Sequence, residues 1–404
     1  MKRKKKKTVK NQRLLLKREI EKYLTKEEYY DLFNKSKVSL HISKIESEGI
    51  NIFTRLIEKN FITATELDFS NSYEYGKVDL EKLQTLAYGL ERNTIITKLN
   101  FGKNHICEKG LTYFARIIAK NITITNLDLS LNNNGFISSK KSGLDDFGLS
   151  LQINKTLSIL NLSYNSLRKA GTEKIIRGLK NNTSIKELNL SVNIIGDEGA
   201  ECIKALLSTN KTLTKLDISG NAFTDTGISK ITEGLAKNDT LTTLDLSLNH
   251  ITDQGVETII NSLELNTTLS KLDLSYNEIG DKGAELILSF IKDHPTISVE
   301  IAHNENISEY FRNAIALKNN SNKKFKTEAE IATAKTVIKN PLEKYQPTPL
   351  DKTLETIEEE REEDEVTFHL GTHTHKGIFL TDSEFPLELT GSYGLELPYL
   401  DLIT

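Results

Sequence analysis

The sequence predicts an α/β solenoid, made by stacking one strand–turn–helix unit about ten times, with a helical N-terminal cap and a largely irregular C-terminal tail. Three observations carry this expectation. From Leu157 a 28-residue unit recurs as LSILNLSYNSLRKAG, IKELNLSVNIIGDEG, LTKLDISGNAFTDTG, LTTLDLSLNHITDQG and LSKLDLSYNEIGDKG. Within each unit, strict alternation of apolar and polar residues gives way to an apolar stripe of helical period. Charged residues make up 27% of the chain while its net charge is only -3, a balance suited to a large water-exposed surface.

Taken in chain order, the first element is a run of six basic residues, Lys2 to Lys7, in a leader of residues 1–10. Such a run is expected to be a disordered tail, with nuclear import or an electrostatic contact with nucleic acid or acidic lipid as its functional readings. Asn11 to Asn34 reads as a helical cap, with Leu14, Leu15, Ile20 and Leu24 available to cover the first coil. Alignment backwards from Gly49 then recovers a degenerate first unit through Val38, Leu40 and Ile45.

Anchor leucines follow at Leu67, Leu99, Leu127, Leu160, Leu188, Leu216, Leu244 and Leu272. The two longer spacings among them mark insertions, Tyr73 to Lys77 and Asn132 to Ser142, both between strand and helix. A degenerate last unit carries Val299, Ile301, Asn304 and Ile307, which closes a solenoid of ten units over residues 35–317. Residues 318–404 break the repeat and hold five of the six prolines. This tail offers a helix-compatible stretch from Thr327 to Lys339, an acidic run from Glu355 to Glu365, and a segment with Phe368, Phe379, Phe385, Tyr393 and Tyr399 suited to docking or to a short binding motif.

The unit makes physical sense piece by piece. Leu244 and Leu246 alternate with Thr243 and Asp245, the period-two pattern of a strand buried on one face. Asn249 and its equivalents at 104, 132, 165, 193, 221 and 277 sit where the chain leaves the strand, and an Asn amide there bonds to backbone in its own and the next coil. Val256, Ile259, Ile260 and Leu263 then form one helical stripe, preceded by Gly255 where a turn is expected. Neither half buries its apolar surface alone, so stability has to come from stacking.

The pattern L-x-x-L-x-L-x-x-N-x-L at 28-residue spacing resembles the ribonuclease-inhibitor class of leucine-rich repeats, over about Lys35 to Leu317. The resemblance implies a horseshoe with a concave parallel sheet and convex helices, and a protein-binding function rather than an enzymatic one. Partner contact is then expected on the concave face. The position before each turn Asn varies most: Lys103, Leu131, Tyr164, Val192, Gly220, Leu248 and Tyr276. Five of these are apolar or aromatic, a composition typical of interaction sites. The Asp or Asn at 68, 100, 128, 161, 189, 217, 245 and 273 faces the same way, so Asp217, Asp245 and Asp273 join the candidate site, although turn support is a sufficient role for the column.

Other chemistry is poorly supplied. There is no Gly-rich phosphate loop and no G-x-S-x-G, and the strand-end serines have no positioned base, so no catalytic residue, cofactor or small-molecule substrate is expected. His369, His373 and His375 are the best metal candidates, yet three exposed imidazoles without supporting partners do not make a site. Resemblance to Ran GTPase-activating proteins, in repeat class and acidic C-terminal region, would give Arg168 a role on the nucleotide; a host-directed effector of an intracellular bacterium is a further alternative.

Membrane insertion is not expected, for no apolar stretch approaches the roughly 20 residues of a span, and nucleic acid is disfavoured as a partner. Without a visible signal peptide the expected address is cytoplasmic, or nuclear through Lys2–Lys7. Cys107 and Cys202, three repeats apart, are too distant to pair, and the sequons at Asn154, Asn210, Asn238 and Asn266 all fall at one register position, as products of the repeat.

Overall fold

The computed structural model describes residues 2–72, 79–132 and 143–324. Both predicted insertions, apart from Asn132, lie outside the described residues, as do the acidic run, the three histidines and the aromatic segment of the tail. Among the described residues ten strands form one parallel sheet in strict chain order. They are β1 (Lys37–Ser39), β2 (Glu66–Asp68), β3 (Lys98–Asn100), β4 (Asn126–Asp128), β5 (Ile159–Asn161), β6 (Glu187–Asn189), β7 (Lys215–Asp217), β8 (Thr243–Asp245), β9 (Lys271–Asp273) and β10 (Ser298–Glu300).

The anchor leucines are the middle residues of their strands and pair directly, Leu188 with Leu216 and Leu216 with Leu244, and so on along the sheet. All of them are buried. One helix follows each of β1 to β10: α3 (Ser47–Glu58), α4 (Leu80–Leu90), α5 (Glu108–Lys120), α6 (Gly143–Ile153), α7 (Arg168–Leu179), α8 (Gly196–Thr209), α9 (Asp225–Leu235), α10 (Asp253–Leu263), α11 (Asp281–Asp293) and α12 (Glu309–Lys324). The degenerate end units thus form true coils, with Val38 and Val299 buried like the leucines they replace.

Neighbouring coils are tied by polar ladders, because the turns leave buried backbone groups that need partners. In the predicted Asn column, the Oδ1 of Asn193 accepts from the backbone N–H groups of Asn165 (3.0 Å) and Leu167 (3.2 Å) in the preceding coil. Its Nδ2 donates to the carbonyls of Leu162, Leu190 and Ser191. A second ladder escaped the sequence reading. Asn121, Asn154, Asn182, Asn210, Asn238 and Asn266 occupy the helix-to-strand turn; Asn210 accepts from Thr212 and Leu213 N–H and donates to the carbonyls of Leu179 and Asn182. All six stand in N-x-S/T sequons and all six are buried, so their amides are already committed to the fold.

Two local readings need correction. Gly255 lies inside the first turn of α10, not in a turn before it. A Cβ there would meet the Asp225 carboxylate and Ile251, so glycine is required by close coil-to-coil approach, as at Gly227 and Gly283. The N-terminal cap is two helices, not one: α1 (Lys2–Ile20) and α2 (Lys26–Asn34), the second opened by a capping box between Thr25 and Glu28. Leu14 and Leu15 are exposed, while Ile20 and Leu24 are buried as expected, joined by Leu16. The basic run read as a disordered leader is continuous with α1, consistent with the high helix propensity of Lys and Arg.

At the other end α12 covers the open edge of β10. The Asn319 amide accepts from the N–H of Val299 (3.2 Å) and donates to its carbonyl (2.8 Å), as an eleventh strand would. The solenoid therefore extends past the expected limit at residue 317, and a fragment ending there would lack this cap. Asn319→Leu is expected to cost about 1–3 kcal/mol, the penalty for leaving buried backbone groups unpaired. Urea titration checks this; an unchanged midpoint would show that the edge is satisfied without Asn319.

Candidate binding face

The outward residues of the ten strands make the concave face, and its columns follow from the register. Asp or Asn at the third strand position closes a tight turn: the Oδ1 of Asp217, Asp245 and Asp273 accepts from the N–H of Ser219, Ser247 and Ser275 (2.9–3.0 Å). Asn100, Asn161 and Asn189 make the same bond in their coils. Turn support, the simpler of the two roles anticipated, is thus real, and Asn meets it as well as Asp.

Charge is unevenly distributed on this face. At the N-terminal end Lys37 pairs with Glu66 and Asp68, and Lys98 with Glu66. Towards the other end Asp217, Asp245 and Asp273 stand side by side on β7, β8 and β9, followed by Glu300 on β10. Among the described residues no Lys or Arg forms a salt bridge with these four. Burial holds the Asp245 carboxyl above the ordinary aspartate range; hydrogen bonds from Ser247 offset part of this, and Asp217 and Asp273 raise it further.

Beside this strip runs the variable column. Its backbone is anything but free: Lys103, Leu131, Tyr164, Val192, Leu248 and Tyr276 all have φ between 52° and 57°, with Gly220 at 62° in the same place. Asn71 and His303 extend the column to both ends. From Asn71 to Tyr276 each N–H in the column donates to the neighbouring coil, Tyr164 to Ser191 and Leu248 to Ser275 (both 3.0 Å), which holds the left-handed turn in place. Leu131, Tyr164 and Leu248 are 46%, 42% and 38% exposed, Val192 and Tyr276 partly buried. Tyr276 stacks on the His303 ring at 4.2 Å. Ile194, two residues after Val192, is also exposed, a residue the sequence reading passed over. At Gly220 the ridge is notched, and a Cβ there would touch Val192.

Arg168 and the two cysteines stand outside these columns. Arg168 is exposed at the start of α7 with φ 52°, where Gly196 stands in the next coil. Cys107 and Cys202 are both free thiols. Among the described residues no group of His, Cys, Asp and Glu could hold a metal ion, and no helix is long and apolar enough to cross a membrane.

The leucine-rich-repeat family model matches residues 181–204, 209–231, 237–259 and 265–288. No curated protein matches the sequence significantly. Solved structures similar to this chain include the leucine-rich-repeat protein LegL7 of Legionella pneumophila, 18% identical over 70% of this chain and 97% of its own, with a TM-score of 0.42. A Bacteroides fragilis protein is 17% identical over 65% of this chain and 72% of its own (TM-score 0.42). The actin-binding site 2 of leiomodin-1 is 22% identical, covering 40% of this chain and 95% of its own (TM-score 0.36). The four matched repeats share one sheet and one register with the other coils, so the described part of the chain folds as a leucine-rich-repeat solenoid.

Proposed function

We propose that the chain is a protein-interaction scaffold that holds a protein partner against the C-terminal part of its concave face, between the Asp217–Asp245–Asp273 strip and the apolar ridge. The observation that carries this reading is the occupancy of the left-handed column. Glycine adopts that conformation without strain and does so at Gly220, whereas a side chain costs roughly 1–2 kcal/mol there. Large residues nevertheless fill the column, β-branched Val192 among them. Their contribution to the fold does not account for this, since several are substantially exposed. The aspartates make a parallel case: Asn would close the same turns without placing like charges on adjacent strands.

Removal of the ridge is therefore expected to weaken binding and leave the fold intact. Each of Tyr164→Gly and Tyr276→Gly should cost about 2 kcal/mol or more of binding, in the range of interface hot spots. The sites are four repeats apart, so the losses should add. The partner is first isolated by affinity capture with the full chain, and calorimetry then compares the single and double variants. Asp217, Asp245 and Asp273 changed together to Asn supply the second arm, with the turns preserved. Unchanged affinity in the double Tyr variant, with its melting temperature maintained, would move the site to the helical side of the solenoid.

A further inference from the structure

We propose that the exposed face of α1 is a docking surface for an anionic lipid membrane, independent of the concave face. The helix holds ten basic residues and one acidic residue in 19 positions, against a net charge of -3 for the whole chain, so positive charge is concentrated at this end. Its C-terminal half is the anchor. Leu16 and Ile20 are buried against the first coil, and Lys17 lies over the Phe33 ring at 3.8 Å. Its N-terminal half runs on beyond these contacts, and every residue from Thr8 to Gln12 is exposed. At roughly 1.5 Å per residue the helix is about 28 Å long, of which the anchor uses less than half.

Successive residues of a helix are about 100° apart, which places Lys10, Leu14, Arg18, Asn11 and Leu15 on the side opposite Leu16 and Ile20. Leu14 and Leu15 are 49% and 57% exposed within that cationic side. No carboxylate lies among them; Glu19, the helix's acidic residue, is at its edge. Exposed leucines flanked by Lys and Arg fit the interface of an anionic bilayer, where the amines meet headgroup phosphates and the leucines enter the boundary of the acyl chains. They fit nucleic acid less well. A phosphate backbone gives leucine nothing to enter, and the described part of this face has no aromatic residue on which a base would stack.

The test is co-sedimentation of the full chain with vesicles of phosphatidylcholine alone or mixed with phosphatidylserine. Binding is expected only to the mixed vesicles and should fall as salt rises. Lys10→Glu with Arg18→Glu should weaken it by about tenfold or more, as each basic residue near an anionic surface contributes roughly fivefold. Leu14→Ser with Leu15→Ser should weaken it as well, with an unchanged circular-dichroism spectrum because both residues are exposed. No binding to the mixed vesicles would overturn the proposal, as would equal binding to phosphatidylcholine alone. Tighter binding of a duplex DNA probe, lost in the charge variant and retained in the leucine variant, would assign the surface to nucleic acid instead.

Discussion

Leu216→Ala is expected to lower the unfolding free energy by about 2–5 kcal/mol, the usual loss for truncation of a buried leucine. Leu216 is the middle residue of β7, paired with Leu188 on one side and Leu244 on the other, and it is buried. The coil cannot collapse onto the space left behind, because its backbone is pinned to both neighbours by the sheet and by the asparagines. Asp217→Asn, one residue along, should change stability by less than about 1 kcal/mol, since Asn closes the same turn at Asn189. Denaturant titration of both variants checks the pair. Equal losses would mean that inward and outward positions have been exchanged.

The second large effect is expected at Asn193, where the whole side chain works as a bracket. Asn193→Ala removes the acceptor for two backbone N–H groups of the preceding coil and the donor to three carbonyls. The residue is fully buried, so the loss should be about 2–6 kcal/mol from the unpaired donors alone. Asn193→Asp separates the two roles, because it keeps an acceptor and loses the donor. Hydrogen exchange should show faster amide exchange at Asn165 and Leu167, in the coil before the substitution. A loss below about 1 kcal/mol would mean that water takes over these bonds.

The solenoid was legible because its determinants repeat. Leu at the strand centre, Asn at the turn and the helical stripe recur often enough that even the end coils could be aligned through Val38 and Val299. What repeats only as polarity was harder to read. The asparagines of the second ladder looked like sequons, since sequence gives no measure of burial. Gly255 looked like a turn residue, since the neighbouring coil that excludes a Cβ is 28 residues away in the chain. At the N terminus single-helix periodicity picks out Ile20 and Leu24 correctly but also Leu14 and Leu15, whereas the packing on α3 buries Leu16 in their place. In the candidate site the column was found as a place of free identity. That identity varies over a fixed left-handed backbone, and only the dihedral angles reveal it.

The two asparagine ladders have a direction, and this gives the molecule a polarity that its repeats alone would not. At each turn the amide reaches back: Asn132 serves the N–H groups of Asn104 and Ile106, Asn221 those of Asn193 and Ile195. A coil is thus completed by the one made after it. During synthesis the newest coil always waits for its successor, and the growing end keeps unpaired donors until α12 arrives, with Asn319 facing the last strand. The two ends are also unequal under loss. Within the ladders, removal of coils from the N terminus strips side-chain amides of some carbonyl partners, whereas removal from the C terminus orphans backbone N–H groups; the strand bonds run both ways, Thr214 N–H to the Lys186 carbonyl and Leu190 N–H to the Asp217 carbonyl, and are lost alike from either end.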